Sequence, residues 1–300
     1  MDEMKPILHI NAGVGWSAIK PLCHTFQKNG YCHRGETTES NLLYYLYESI
    51  YKPDHAKYFW NTVHKHRGLD FVKENITLEW YIEYMKSRIK EGYKGVSDFS
   101  NSNATLSSQF IKEIAPSLQK EFDVRVTMIW RHPVRRSYSN ISNWYKNMTD
   151  NDNVHLSWKI RDTETAKYWQ NIKKKYPDSI SYWKNQISQH SPFFIPDYVS
   201  TYESWSVFDN VYAIIMEEVW EDSTALSDFI GHKIDKMEVN AYYPERGTNA
   251  PKIKGLEHQW QSDMQDLSPD DLKEGRHKLD WVYKNFYKKF GYIPYQWELL

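Results

Sequence analysis

Only two cysteines, Cys23 and Cys32, occur in 300 residues. Two thiols cannot build a disulfide framework and fall short of the four ligands of a structural zinc site. The histidines show no His-Glu-x-x-His or comparable spacing, so no metal is expected. Long apolar runs are missing too. Nowhere do about 18 consecutive apolar residues occur, which argues against a bilayer span, and the first thirty residues hold no apolar run of signal-peptide length. The chain therefore reads as a soluble, cytoplasmic protein of a reducing compartment. Charge of one sign is also lacking: 38 Lys+Arg against 39 Asp+Glu leave a net −1. No chain-wide basic excess is available to displace counterions from a phosphate backbone, so a nucleic-acid partner is not expected. A local basic cluster can still hold a small anion. No internal repeat and no Gly/Ser/Pro-rich linker divides the sequence.

Aromatic residues, in contrast, are plentiful: 13 Trp, 23 Tyr and 12 Phe. Such side chains build cores and line concave ligand sites. Three short aliphatic runs, Ile7–Asn11, Val124–Trp130 and Val211–Met216, have the pattern of parallel strands covered on both faces. Weaker strands are expected near Gly95–Phe99 and Tyr31–His33. Helical patterns fall at Ser17–Lys28, Leu78–Lys90, Ala104–Glu121, Arg135–Lys146, Asp162–Lys175, Thr201–Phe208 and Asp222–Ile230. Strands separated by helices imply βαβ units and an α/β fold with a central parallel sheet. In such sheets ligands bind beyond the carboxyl ends of the strands, so chemistry is sought directly after each one.

After the first strand comes Ala12-Gly13-Val14-Gly15-Trp16-Ser17-Ala18, opening a helix. Glycines permit a sharp turn and close backbone approach, and a helix N-terminus offers N–H groups and partial positive charge to a phosphate. No Gly-Lys-Ser/Thr occurs, which excludes a Walker A loop. Gly13-x-Gly15-x-x-Ala18 fits the dinucleotide fingerprint, with Glu36 at the distance of a ribose-binding acid. A phosphosulfate-binding loop, with Ser17 and nearby amides on a 5′-phosphate, fits equally. This segment alone does not choose between an NAD(P) oxidoreductase and a phosphosulfate site.

The second strong strand runs into Arg131-His132-Pro133-Val134-Arg135-Arg136-Ser137-Tyr138-Ser139. An arginine at a strand terminus offers a forked donor to phosphate. Pro133 suits a first helical turn, and Ser139 then falls about two turns in. Arginine at a helix start opposes the macrodipole unless an anion is near.

This element resembles the 3′-phosphate-binding motif of the PAPS-dependent sulfotransferases, R-x-P-x-x-R-x-x-S in outline; PAPS is 3′-phosphoadenosine 5′-phosphosulfate. The remaining pieces agree in order. Gly95–Asn103 looks like the segment before the helix preceding the motif, and Val211–Gly231 resembles the family's late strand, acidic turn and helix. The C-terminal LDWVYKNFYKKFGYIPYQW is similar to the closing helix of carbohydrate-type members. A dinucleotide oxidoreductase has no reason to carry the arginine–serine element, so the resemblance favours the sulfotransferase reading over the oxidoreductase alternative.

The resemblance implies one domain over residues 1–300 with a P-loop-like architecture, and helical insertions at roughly 40–90 and 150–200 forming an acceptor cleft. It implies in-line transfer of a sulfuryl group from PAPS, without a metal, to a hydroxyl or amine of a small-molecule or saccharide acceptor. Gly13, Val14, Gly15, Trp16, Ser17 and Ala18 would hold the 5′-phosphate, and Arg131 and Ser139 the 3′-phosphate. Glu36 is the expected base, with His33 as the alternative. Asp98 and Ser100 are candidate substrate contacts. Arg246, Lys252 and Lys254 lie in a basic late loop of the kind that covers the donor. One departure stands out: the family places Lys or Arg where this chain has Gly13. Lys20 and Lys252 are candidates to supply the cation instead. The same departure suggests a further alternative, a catalytically degenerate member that binds nucleotide or glycan.

Overall fold

The computed structural model describes residues 5–13, 19–35, 41–54, 56, 76–149, 163–189, 197–235 and 267–298. Among the described residues there are five strands: β1 (Ile7–Asn11), β2 (Cys32–His33), β3 (Gly95–Asp98), β4 (Asp123–Trp130) and β5 (Asn210–Ile215). Every pairing is parallel and the spatial order is β2-β3-β1-β4-β5. Parallel neighbours need long crossovers. Helices supply them: Ile19–Lys28 follows β1, Leu42–Tyr51 and Leu78–Ser87 lie between β2 and β3, and Ser108–Glu121 leads into β4. The fold is thus α/β, a five-stranded parallel sheet flanked by helices, as the strand–helix alternation implied.

The chain forms two compact units, one from Met1–Trp130 with Ser200–Thr248, the other from Arg131–Val199 with Asn249–Leu300. The first contains the whole sheet. β1 is buried along its entire length, because it lies between β3 and β4 and is covered on both faces. Beneath it, His9 packs edge-on to Phe26 with ring centroids 4.7 Å apart and stacks on Phe99 at 5.8 Å. Its ring nitrogens meet the Tyr31 hydroxyl at 3.2 Å and Thr127 Oγ1 at 3.0 Å. Both polar positions of this buried histidine are therefore satisfied.

Among the described residues the second unit is helical: Pro133–Thr149, Thr163–Lys175, Ser179–Ser188, Pro269–Lys278, Asp280–Phe290 and Tyr295–Glu298, joined by the start of Tyr198–Trp205. Trp183 is its anchor. It is fully buried, packs edge-on to Tyr138 at 5.6 Å, and donates from its indole N–H to Ser137 Oγ at 3.0 Å. Gly275 faces it, since a Cβ there would lie 2.7 Å from the Trp183 ring. Phe286, Tyr198 and Tyr283 surround Trp297, with centroid distances of 4.9, 5.7 and 6.2 Å.

Several boundaries differ from the sequence reading. Met216 opens a helix, Met216–Glu221, rather than ending β5, because the apolar run continues across the junction while Glu217 and Glu218 favour a helix N-terminus. Residues 101–105 form a 3₁₀ turn, and the helix expected from Ala104 begins at Ser108, capped by Ser107 accepting from the Phe110 N–H. The helix expected from Arg135 starts at Pro133. Among the described residues no helix is long and apolar enough to cross a membrane.

Candidate functional site

β1 and β4 are parallel neighbours, with Asn11 opposite Thr127. The sheet also changes direction at β1: the chain goes first to β2 and β3 on one side, then to β4 and β5 on the other. The crevice beyond the carboxyl ends at such a switch point is where α/β sheets bind ligands. The glycine loop leaves β1 there, and Arg131 is the residue that follows β4.

Gly13 is the described part of the loop; Val14, Gly15, Trp16, Ser17 and Ala18 lie outside the described residues. A Cβ on Gly13 would meet the Ile129 N atom at 2.8 Å and the Ile129 carbonyl oxygen at 3.1 Å. Both contacts are backbone atoms of β4, so no side chain fits at position 13 without moving the sheet. This gives a physical reason for the departure noted above: the backbone occupies the space that a basic residue's Cβ would need. Asn11 sets the approach. With its carboxamide oriented to satisfy both ends, it accepts from the Gly13 N–H at 3.2 Å and donates to the Thr127 carbonyl at 3.3 Å. The Ala12 N–H also donates to the Thr127 carbonyl, at 2.8 Å.

Beside it, at the end of β3, Asp98 and Ser100 are 2% and 0% exposed. The sequence reading took them as candidate substrate contacts. In the structure Asp98 Oδ1 accepts from the Ser100 N–H at 3.1 Å, the Ser100 hydroxyl at 2.6 Å and Asn103 Nδ2 at 3.4 Å. Its Oδ2 accepts from the Tyr81 hydroxyl at 3.1 Å. Burial raises the Asp98 pKa, and these donors oppose the rise. The pair is hydrogen-bonded to the protein's own backbone and side chains. Asn11, Tyr81 and Asn103 were not singled out from sequence. A polar residue closing an apolar strand was the available signal for Asn11.

His33 ends β2 and is 8% exposed. Its Nδ1 accepts from the Gly35 N–H at 3.2 Å, which leaves the ring proton on Nε2. Its ring packs edge-on to Tyr93 at 5.4 Å. Glu36 lies outside the described residues, as do Arg246, Lys252 and Lys254. Lys20 sits in the first turn of the helix Ile19–Lys28, partly exposed.

In the second unit, Pro133 begins the helix and Ser139 follows within it, buried to 6% exposure. Arg131 is 4% exposed, and its carbonyl accepts from the buried Tyr198 hydroxyl. Positive charge is concentrated at this turn. Burial lowers the His132 pKa well below its usual value, and the guanidiniums of Arg135, Arg131 and Arg276 push it further in the same direction. Burial, with the Arg131 charge, also brings Arg136 down to about 10, against an opposing contribution from Tyr198. Guanidiniums gathered after a strand end are side chains of the type that can meet a phosphate with forked donors.

No protein-family profile matches the chain, and no curated protein matches it. Among solved structures, the sulfotransferase domain from the Synechococcus PCC 7002 olefin synthase is similar over 98% of both chains, at 15% identity and a TM-score of 0.43. At that level the likeness says nothing of activity, and any functional reading rests on this chain's own residues.

Proposed function

We propose that the chain is a sulfotransferase that moves a sulfuryl group from PAPS to a hydroxyl or amine of a small acceptor, a saccharide fitting the resemblance. The observation that supports the reading is the gathering of Arg131, Arg135 and Arg136 in the turn directly after β4. Arg131 and Ser139 hold the 3′-phosphate, while the amides from Val14 to Ala18 and the Ser17 hydroxyl hold the 5′-phosphate, and Gly13, whose own N–H is taken by Asn11, turns the backbone toward them. In the transfer, the acceptor oxygen or nitrogen attacks sulfur, the bond from sulfur to the bridging oxygen breaks, and adenosine 3′,5′-bisphosphate leaves. The acceptor proton goes to the base. Glu36 takes that role ahead of His33, whose Nδ1 lone pair accepts from the Gly35 N–H. Lys20 or Lys252 supplies positive charge toward the leaving oxygen, and Arg246 of the late loop contacts the donor on its 3′-phosphate or adenine side.

The test is calorimetric titration with adenosine 3′,5′-bisphosphate. The intact protein should bind it, and Arg131→Ala should weaken binding by about 10- to 100-fold, the loss of a charge-assisted contact. No binding by the wild type rejects the proposal. The closed space at Gly13 favours a second reading, a degenerate member that binds the nucleotide without turning it over. Retention of labelled sulfate on PAPS across a broad acceptor panel, with bisphosphate binding intact, selects it.

A further inference from the structure

Asp98 lies at the carboxyl end of β3 but presents nothing to solvent. Its four accepted hydrogen bonds fold the following turn back onto the sheet edge. Asn103, delivered by that turn and itself fully buried, extends the same Nδ2 to the Asn11 carbonyl at 3.2 Å. Asn11 in turn receives the Gly13 N–H. On the other side, the Ser100 hydroxyl that donates to Asp98 accepts from the Asn41 N–H at 2.8 Å, and Ser102 Oγ donates to Asn41 Oδ1 at 2.7 Å. Asn41 holds a left-handed conformation, φ 56°, and stands directly after residues 36–40. One carboxylate thus ties down the start of the glycine loop and the end of the segment that carries Glu36.

We infer that Asp98, acting through Asn103, is a positioning residue that sets where the backbone leaves β1, and with it the entry to the loop proposed to receive the 5′-phosphate. The inference rests on the sulfotransferase reading and specifies how one half of that site is held. A buried hydrogen-bonded network fixes a unique geometry only while every member is satisfied. Cutting it at Asn103 frees the Asn11 carbonyl and loosens the loop entry, with no change to the Arg131–Ser139 turn.

The experiment uses the full chain, with Asn103→Ala, Asp98→Ala and the near-isosteric Asp98→Asn. Asn103→Ala should weaken adenosine 3′,5′-bisphosphate binding by about 10-fold, and Asp98→Ala by at least as much. Asp98→Asn keeps an acceptor oxygen for the turn and should stay within about 3-fold of wild type. Binding of adenosine 3′-monophosphate, measured by competition, should be unchanged in all of them. Amide hydrogen exchange near residues 11–13 should accelerate in Asn103→Ala while exchange in β4 does not. Wild-type bisphosphate affinity in Asn103→Ala, or equal loss for both nucleotides, overturns the inference. Should the alanine variants fail to fold, unprotected Gly13 exchange in the wild type overturns it, and protection supports it. Absence of bisphosphate binding by the wild type instead defeats the underlying sulfotransferase reading.

Discussion

Replacing Gly13 with alanine isolates one contact. The glycine is not among the positive-φ residues, so alanine meets no torsional objection, and loss of chain freedom in the unfolded state would by itself favour alanine by about 0.4–1 kcal/mol. Against this stands the Cβ, 2.8 Å from the Ile129 N atom and 3.1 Å from its carbonyl oxygen. An ordinary carbon–nitrogen contact is roughly 3.5 Å or more, so β4 or the loop must shift by about 0.7 Å or more. Ile129 is bonded into a strand flanked on both sides, by β1 and β5, and cannot yield cheaply. Overpacking of this kind costs about 1–3 kcal/mol. The net expectation is destabilisation by about 1–2 kcal/mol, or a Tm lowered by roughly 2–6 °C for a chain of this size. Differential scanning calorimetry and urea midpoints on purified protein measure it. Gly13→Lys should lose at least as much, and should not tighten bisphosphate binding. If Gly13→Ala melts at or above the wild-type temperature, or Gly13→Lys binds the nucleotide more tightly, the close-approach argument is wrong.

His9 gives a pH dependence. Burial, reinforced by the charge of Arg125, lowers its pKa from 6.5 to about 3. The unfolded state therefore binds a proton between those values that the folded state refuses; stability is full above pH 6.5 and falls as pH drops toward 3, by about 1.4 kcal/mol per unit. Urea midpoints between pH 6.5 and 4.5 should show this slope reduced in His9→Gln, and an unchanged slope contradicts it. In the helical unit, Gly275→Ala places a methyl 2.7 Å from the buried Trp183 ring and 3.0 Å from Val134. The better helix propensity of alanine, about 1 kcal/mol, should be outweighed, giving a lower Tm; a raised Tm would show that Trp183 can move aside.

The sheet was readable because its strands are covered on both faces. β1 ends at Ile7 and Asn11 as its aliphatic run does, and β4 differs by one residue. The helix Ser179–Ser188 was missed although its signals exist locally: Asp178 caps it by accepting from the Ser181 N–H at 2.7 Å, and Trp183 and Ile187 share its buried face. The end of β4 at Trp130 and a helix opening at Pro133 were legible because an aliphatic run and a proline are local facts. The role of Asp98 was not. Its meaning depends on Asn103 meeting the carbonyl of Asn11 across 92 residues of sequence, and on a buried tyrosine from another helix. Periodicity carries no record of such closures, so a polar residue ending a strand reads from sequence as a ligand contact, while the structure shows it bonded to four groups of its own chain.

The placement of β1 has a consequence for biogenesis. Its two partners, residues 95–98 and 123–130, lie far downstream in the chain. Until residues 123–130 have been made, β1 keeps one edge unpaired, the kind of surface that recruits chaperones or neighbouring chains. Truncations that stop before β4 should accumulate as insoluble material, because a strand buried along its whole length in the finished fold is left with that edge open.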